Sequence, residues 1–206
     1  MSKKNADAII SGAGWIGSLA QGIVKGLRGK GISDEEIRKL VSDEVETPIG
    51  KIVEVLAETL RKAANVFSVL VDYGRSVADL VADGKYDWKN DDVNDKNFPD
   101  FRPRKGTVEV QLIHFNRVIS TENVLNELDR QGLKAADLHT LLSLGAKYPD
   151  LQREFPIVAL GSVWQNRQRQ LPRFVCLLGD GSGRSLDLRW GVVNWCGVYR
   201  FAAVRK

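Results

Sequence analysis

The chain has 206 residues, of which 43% are hydrophobic and 27% charged, and its mean hydropathy is -0.22. A chain of this length and composition can bury a core without disulfides or a structural metal, so disordered and fibrous classes are excluded and one large or two small domains are expected. The net charge of +4 suggests a nucleic-acid partner as a first hypothesis, because basic surfaces attract phosphate.

The first 64 residues carry the apolar spacing and the capping signals of short helices. These signals predict three helices, over residues 8–28, 34–43 and 48–64. Ser33 and Glu36 form a capping box at the start of the second helix, and Thr47 followed by Pro48 is typical of the start of the third. Three short helices bury little core of their own. We therefore predict a helical unit over residues 1–64, with homo-oligomerisation through these helices as one way of covering its apolar faces.

The N-terminus offers no membrane span and only a weak export signal. No stretch approaches the roughly 18 consecutive apolar residues that a membrane-spanning helix requires. Lys3 and Lys4 precede the apolar residues 8–20, but serine and glycine interrupt this run and make it weakly hydrophobic. The two cysteines are typical of a reducing compartment. The cytoplasm is therefore the default location, and export remains the alternative.

Residues 12–17 match the G-x-G-x-x-G pattern of dinucleotide-binding loops. In those folds the glycines let the backbone approach the pyrophosphate, and an acidic residue about 20 positions on, at the end of a second strand, binds the ribose. Asp34 falls near that distance, but it lies at a helix cap and no predicted strand precedes it. The glycines therefore favour close helix packing, and no cofactor is predicted.

From residue 65 the pattern changes from helical to β spacing. It predicts strands over residues 66–71, 107–115, 157–160, 174–178, 186–190 and 199–204, and helices over residues 75–83, 120–130 and 137–145. Residues 85–106, with paired aspartates and two prolines, are typical of an irregular connection. Strands outside, two helices between and a loop-rich antiparallel β tail predict an α+β domain over residues 65–206.

The residues that usually carry catalysis or bind metals are sparse and scattered. His114 and His139 lie 25 residues apart without a metal-ligand partner at close spacing, which favours structural roles. Cys176 and Cys196 could pair only if their strands are adjacent, and free thiols are the favoured interpretation. Acidic clusters lie in predicted loops or near helix ends, where they act as caps or solvated charges. We therefore predict no catalytic site and no metal site, and do not expect an enzyme.

The last 46 residues are distinct in charge and aromatic content. From Gly161 to the end there are eight basic and two acidic residues, together with three of the five tryptophans. Large apolar residues are interleaved there with arginine, glycine, valine and cysteine, a mixture that matches neither a buried strand nor a polar face. One interpretation is the loop-rich edge of an ordinary sheet with solvated arginines. The other is a binding surface built from arginine and aromatic side chains.

Several stretches of the second half resemble a known family. They are residues 110–117, 141–160, 186–190 and 199–205. Together they resemble uncharacterised proteins of small-genome uncultivated bacteria, and the tail is similar to the variable region of the target proteins of diversity-generating retroelements. The resemblance covers about residues 66–206. It implies a C-type lectin-like fold whose C-terminal segment is rewritten by an error-prone reverse transcriptase acting at template adenines.

The resemblance also implies a fixed frame and a variable ligand face within about residues 161–206. The frame would consist of Trp164, Leu186, Leu188, Trp190, Trp195, Arg200 and Phe201. The variable, ligand-binding positions would be Gln165, Asn166, Arg173, Phe174, Cys176, Leu178, Arg189, Gly191, Val192, Val193, Cys196 and Val198. Such a surface needs a rigid frame, because binding energy comes from a few preorganised anchors.

The sequence as a whole predicts a non-enzymatic binding protein with an unidentified macromolecular ligand, most simply a protein. Two alternatives stay open. The basic tail could bind nucleic acid, in which case affinity would fall steeply with salt. A sugar-binding or enzymatic protein of the same fold would need a calcium-ligand cluster or a catalytic cysteine near the ligand face, where the tail offers only the carboxylates of Asp180 and Asp187.

Overall fold

The computed structural model describes residues 18, 20–39, 55, 56, 59, 65–99, 102–164, 171–191 and 194–206. The chain divides into two compact units, Met1–Thr59 and Leu60–Lys206. Several sequence predictions fall outside the described residues: the glycine motif at 12–17, the acidic residues at 43–46, most of the helix predicted over 48–64, and the predicted ligand-binding residues Gln165, Asn166, Val192 and Val193.

In the first unit, residues 20–29 are helical and α1 spans Asp34–Lys39. The predicted capping box is confirmed. The Ser33 amide donates to Glu36 Oε2 at 3.0 Å, and the Glu36 amide donates to Ser33 Oγ at 3.3 Å. Arg28 reaches over the turn and donates to both carboxylate oxygens of Asp34, at 2.7 and 3.0 Å. Local hydrogen bonds therefore fix the junction between the two helical segments.

The second unit contains the remaining elements. They are β1 Val66–Asp72, α2 Val77–Gly84, β2 Trp88–Lys89, β3 Lys105–His114, α3 Thr121–Arg130, β4 Leu133–Ala135, α4 Leu138–Lys147, α5 Leu151–Glu154, β5 Ile157–Trp164, β6 Arg173–Gly179, β7 Arg184–Trp190 and β8 Arg200–Arg205. Every strand and helix that the sequence predicts after residue 65 is confirmed, with ends that differ by a few residues. Three short elements, β2, β4 and α5, were not predicted, and β2 lies within the stretch predicted to be irregular.

All eight strands join one sheet in the order β1-β3-β8-β5-β6-β7-β2, with β4 paired to the far end of β8. The neighbours β5, β6 and β7 are antiparallel, as predicted for the tail. The last strand, β8, inserts between β3 and β5 and runs antiparallel to β3 but parallel to β5. The unit is therefore a mixed α+β structure whose C-terminal strand lies in the middle of the sheet.

The sheet has a hydrophobic core on each face. One core contains the buried side chains of α2 and α4 and, from β6, Val175 and Leu177. The other contains the buried side chains of α3, Trp195 and, from β6, Phe174 and Cys176. Because successive side chains of a strand point to opposite faces, two cores bury four consecutive residues of β6. A strand covered on both faces gives a continuous apolar run in sequence rather than an alternating one.

Candidate functional site

The connection between β7 and β8 is fixed to the start of α3 by hydrogen bonds. We call its described residues, Gly191 and 194–199, the β7–β8 connection. The Thr121 hydroxyl donates to the Gly191 carbonyl at 2.7 Å and accepts from the Trp195 indole N–H at 2.9 Å. Ile119 and Trp195 exchange two backbone hydrogen bonds, of 3.0 and 2.8 Å. The middle of the connection is thus held to the domain although it has almost no regular secondary structure.

A second attachment lies near the end of the connection. His114 Nε2 is 2.6 Å from the Gly197 carbonyl oxygen, so this nitrogen donates the hydrogen bond. A Cβ at position 197 would lie 3.0 Å from the backbone nitrogen of Arg117, so the two backbones pass close together. The Tyr199 amide donates to the Cys196 carbonyl at 3.3 Å and closes a turn. The predicted structural role of His114 thus has a physical basis.

Along this connection, buried and exposed side chains follow one another closely. Trp195 is 3% exposed and packs its ring at 6.3 Å from Phe174 and 5.9 Å from Phe201, measured between ring centroids. Asn194 and Cys196 on either side of it are exposed, and Val198 is 57% exposed. A buried tryptophan therefore anchors a short segment whose neighbouring side chains face solvent.

Three of the residues predicted for the ligand face are buried, which corrects their assignment. Phe174 is 4% exposed and Cys176 is fully buried, because both belong to the core beneath α3 and Trp195. Gly191 is also buried, and a Cβ there would lie 2.0 Å from Cε2 of the Phe174 ring. None of these positions can present a new side chain to a ligand in this structure.

The other described positions of the predicted face are accessible to different degrees. Cys196, Val198 and Arg189 are exposed, whereas Leu178 and Arg173 are half-buried. The Arg189 guanidinium lies 3.6 Å from the Asp187 carboxylate, which also accepts from the Asn90 side chain at 3.1 Å.

Tyr199 borders the exposed positions of the connection. Burial raises the pKa of its phenol, with smaller effects from the neighbouring Cys176 and Arg189. Its ring also contacts Trp195 edge-on at 5.1 Å between centroids. The half-buried ring of Tyr199 therefore lies beside the exposed residues of the β7–β8 connection.

Arg173 lies between two tryptophans at the end of the β5–β6–β7 sheet. Cross-strand pairing places Trp164 of β5 and Trp190 of β7 on either side of it. The guanidinium carbon is 5.1 Å from the Trp164 ring centroid and 3.8 Å from that of Trp190, within the range of cation–π attraction. The sequence placed these three residues in the site without indicating that they stack.

The predicted frame residues are mostly internal. Leu186, Leu188, Trp195 and Phe201 are buried, and Trp164 packs against the core. Arg200 is half-buried over the Phe155 ring at 4.8 Å, and burial lowers the pKa of its guanidinium. Trp190 differs from the others, because 38% of it is exposed beside Arg173. Two exposed apolar residues near this end, Val163 and Leu171, were not predicted, and no pattern around them in the sequence distinguishes them.

Three basic residues of the tail are paired or hydrogen-bonded within the domain. Arg184 is 7% exposed and donates to the Gly84 and Gly145 carbonyls, each at 2.7 Å, and to Gln152 Oε1 at 3.0 Å. Arg189 pairs with an aspartate of its own strand, and Lys206 pairs with Asp129. The charge excess therefore does not form a continuous row of free cations on the described surface.

The residues considered for redox or metal chemistry lie apart. Both cysteines are free, and burial strongly raises the pKa of the Cys176 thiol. His139 is buried on the opposite side of the sheet from Cys176, with its ring stacked on Tyr73 at 5.3 Å between centroids. Within the described part of the chain, no three His, Cys, Asp or Glu side chains are grouped so that they could hold a metal ion.

Among the described residues, no helix has the length and apolar character needed to cross a membrane. No family model, curated protein or solved structure matches the chain.

Proposed function

We propose that the chain is a non-enzymatic binding protein of the diversity-generating retroelement type. Its second unit would be a C-type lectin-like domain, and the C-terminal segment would carry a sequence-diversified surface. The ligand would be a macromolecule, most simply a protein. Recognition would rest on surface complementarity between this face and the ligand, without a chemical reaction.

The strand arrangement supports the fold part of this proposal. Strand β3 begins at residue 105 and β8 is the last strand of the chain, and the two pair directly. Helices α3 and α4 lie between them in sequence. The antiparallel strands β5, β6 and β7 follow the helices and extend the same sheet. This is the organisation of outer strands, two helices and a β tail that the sequence pattern predicts, and a C-type lectin-like fold would share it.

The observation that carries the functional part is the anchoring of the β7–β8 connection. Thr121, Trp195 and Gly197 hold it through hydrogen bonds and buried contacts, while Cys196 and Val198 face solvent between those anchors. A side chain at an exposed position can change without disturbing the attachments. A frame of this kind tolerates sequence variation while keeping the backbone preorganised for binding.

The DNA around the gene tests the retroelement assignment directly. We expect a near-copy of the DNA that encodes residues 161–206 beside a reverse-transcriptase gene, with the differences concentrated at template adenines. The DNA encoding residues 105–150 is the internal control, because it encodes fixed scaffold and should have no such copy. Absence of a copy from the complete genome would remove the assignment.

No observation favours either alternative over this proposal. A nucleic-acid surface would need accessible cations in a row, whereas Arg184 is buried and Arg189 and Lys206 are paired. A calcium-dependent sugar site would need several oxygen ligands close together. Asp180, one of the two carboxylates in the tail, instead accepts hydrogen bonds from the Ser182 amide and hydroxyl and the Gly183 amide.

A further inference from the structure

We propose that Arg173 is the anchor for a carboxylate, and that the partner of this surface presents an aspartate or glutamate side chain flanked by apolar residues. The inference rests on the proposed function in one respect only, namely that the C-terminal surface binds a protein. It adds the chemistry of the partner and the residue that recognises it.

The stacking of Arg173 fixes which part of its guanidinium remains for a ligand. The indoles of Trp164 and Trp190 flank the side chain from the two neighbouring strands, with their centroids 5.1 and 3.8 Å from its central carbon. Only the N–H groups at the edge of the planar cation are then left to bond. A guanidinium held in this way loses little freedom on binding and presents a fork that fits a carboxylate with two parallel hydrogen bonds.

The described residues leave the guanidinium of Arg173 without a recorded partner. Its Nε is buried without an acceptor, and the described residues provide no ion pair to its guanidinium. The two carboxylates of the C-terminal segment are engaged elsewhere, Asp187 with Asn90 and Arg189 and Asp180 within its own turn. Residues 165–170, which precede β6 in sequence, contain no aspartate or glutamate. The chain thus holds a positioned cation and supplies no anion from this segment to neutralise it.

The surroundings favour a protein carboxylate over a nucleic-acid phosphate. Trp190 is 38% exposed, and Leu171, two residues before Arg173, is 53% exposed. The guanidinium of Arg173 can bind one carboxylate, and the apolar side chains beside it can contact apolar residues that flank this carboxylate in the partner. A phosphate backbone instead gains affinity from many cations in succession. Two other arginines of the described tail, Arg189 and Arg205, are exposed; Arg189 pairs with Asp187, and Arg205 ends β8 two strands away from Arg173.

Nuclear magnetic resonance of the full chain tests the proposal at the atoms concerned. The probe is a hexapeptide of alternating glutamate and leucine, and its matched control carries glutamine in place of glutamate. We expect the glutamate peptide alone to shift the Arg173 Nε–H signal and the indole N–H signals of Trp164 and Trp190 in a saturable manner. The Arg173→Lys variant, which keeps the charge but loses the planar fork, identifies the arginine signal by its disappearance.

Two substitutions separate a specific anchor from general attraction between charges. Arg173→Gln should weaken binding of the glutamate peptide at least tenfold, whereas Arg205→Gln, with the same loss of charge, should change it less than twofold. The spectrum of each variant also reports whether it is folded. Equal weakening by both variants, or no saturable shift with up to millimolar peptide, would overturn the proposal.

A single-stranded oligonucleotide titrated in parallel tests the competing partner. If it shifts the same signals more tightly than the peptide, and its affinity falls steeply with salt, the surface binds nucleic acid and the carboxylate anchor is wrong. Failure of the peptide experiment leaves the genomic test of the retroelement assignment unaffected, because that test reads DNA and not ligand chemistry. The two proposals can therefore fail separately.

Discussion

Gly161 of β5 lies directly against the backbone of Ala136. Its amide donates to the Ala136 carbonyl at 2.9 Å, and a Cβ at position 161 would lie 2.6 Å from that same oxygen. The carbonyl oxygen of Ala135 is equally close to the Cβ position. The start of the proposed variable segment is thus locked to the chain between β4 and α4, and only a residue without a side chain fits.

We predict that Gly161→Ala destabilises the domain. Backbone atoms cannot rotate away as a side chain can, so β5 must shift, at a cost of about 1–3 kcal/mol in the free energy of unfolding. Gly106→Ala is the matched control, because Gly106 also lies in a strand and its Cβ position has nothing within 4 Å. Urea unfolding followed by circular dichroism measures both. Equal stability of the two variants would contradict the close approach.

The Thr121 hydroxyl should be important for holding the β7–β8 connection. Thr121→Val keeps the shape of the side chain but leaves the Trp195 indole N–H and the Gly191 carbonyl without their partner, at a cost of about 2 kcal/mol. Thr121→Ser keeps the hydroxyl and should lose much less. Urea unfolding gives the stability of each variant, and the shift of the Trp195 indole N–H signal reports the bond itself. A valine variant as stable as the serine variant would mean that this bond does not hold the connection.

Exposed and buried positions of the predicted ligand face should differ in how well they tolerate substitution. Libraries randomised at Arg189, Cys196 and Val198 should consist mostly of folded proteins, because exposed substitutions usually change stability by less than about 0.5 kcal/mol. Libraries randomised at Phe174 and Cys176 should be mostly unfolded, since large-to-small changes in a core cost about 2–5 kcal/mol. Protease resistance of displayed variants measures the folded fraction. Similar tolerance in the two groups would mean that Phe174 and Cys176 are not buried.

The two thiols should differ sharply in reactivity. Cys196 is exposed, whereas Cys176 is fully buried and burial raises the pKa of its thiol, so little reactive thiolate forms there. A disulfide reagent at pH 8 should therefore titrate one thiol in the folded protein and two in urea. Cys196→Ser should abolish the reaction of the folded protein, and rapid labelling of that variant without denaturant would show that Cys176 is accessible.

Local patterns were sufficient to predict most of the second unit. The apolar runs predicted β1, β5, β6 and β7, and the capping signal at Asp137 predicted α4, where its carboxylate accepts from the Thr140 amide at 2.9 Å. The sequence did not predict β4, because a strand of three residues carries too little pattern. It exists because β8 provides a partner for it, which is a property of the tertiary structure.

The site was harder to predict because exposure depends on what covers each face. Phe174 to Leu178 is a continuous apolar run, which is the pattern of a strand covered on both sides, and that pattern argued against assigning Phe174 and Cys176 to the surface. The cover itself comes from α3 and from Trp195, which lie far from β6 in sequence. The stack of Arg173 on its tryptophans likewise depends on strand register, which no short-range pattern specifies.

The hydroxyl of Tyr86 is buried without a hydrogen-bond partner among the described residues, and removing it should not lower the stability of the domain. The ring fills the space over Gly84 and Gly145 beneath Arg184. Tyr86→Phe removes an unsatisfied polar group and keeps the packing, so the variant should be as stable as the native chain or more stable by about 1 kcal/mol near pH 7. Tyr148→Phe is the matched control. It loses a hydrogen bond of 3.1 Å to the Ser68 carbonyl and should cost about 1 kcal/mol in urea unfolding.

Tyr86 should also make the stability of the domain depend on pH above about pH 10. Burial strongly raises the pKa of the Tyr86 phenol, so the folded chain retains this proton at pH values where the unfolded chain, with an ordinary tyrosine pKa of about 10, loses it. Above that pH the unfolded state binds fewer protons than the folded state, and the free energy of unfolding falls as the pH rises. Tyr86→Phe removes this contribution, so its stability should fall less steeply between about pH 10 and 11 than that of the native chain. Parallel slopes for the two proteins in urea unfolding over that range would mean that the phenol of Tyr86 ionises as easily in the folded state as in the unfolded one, and that it is not buried.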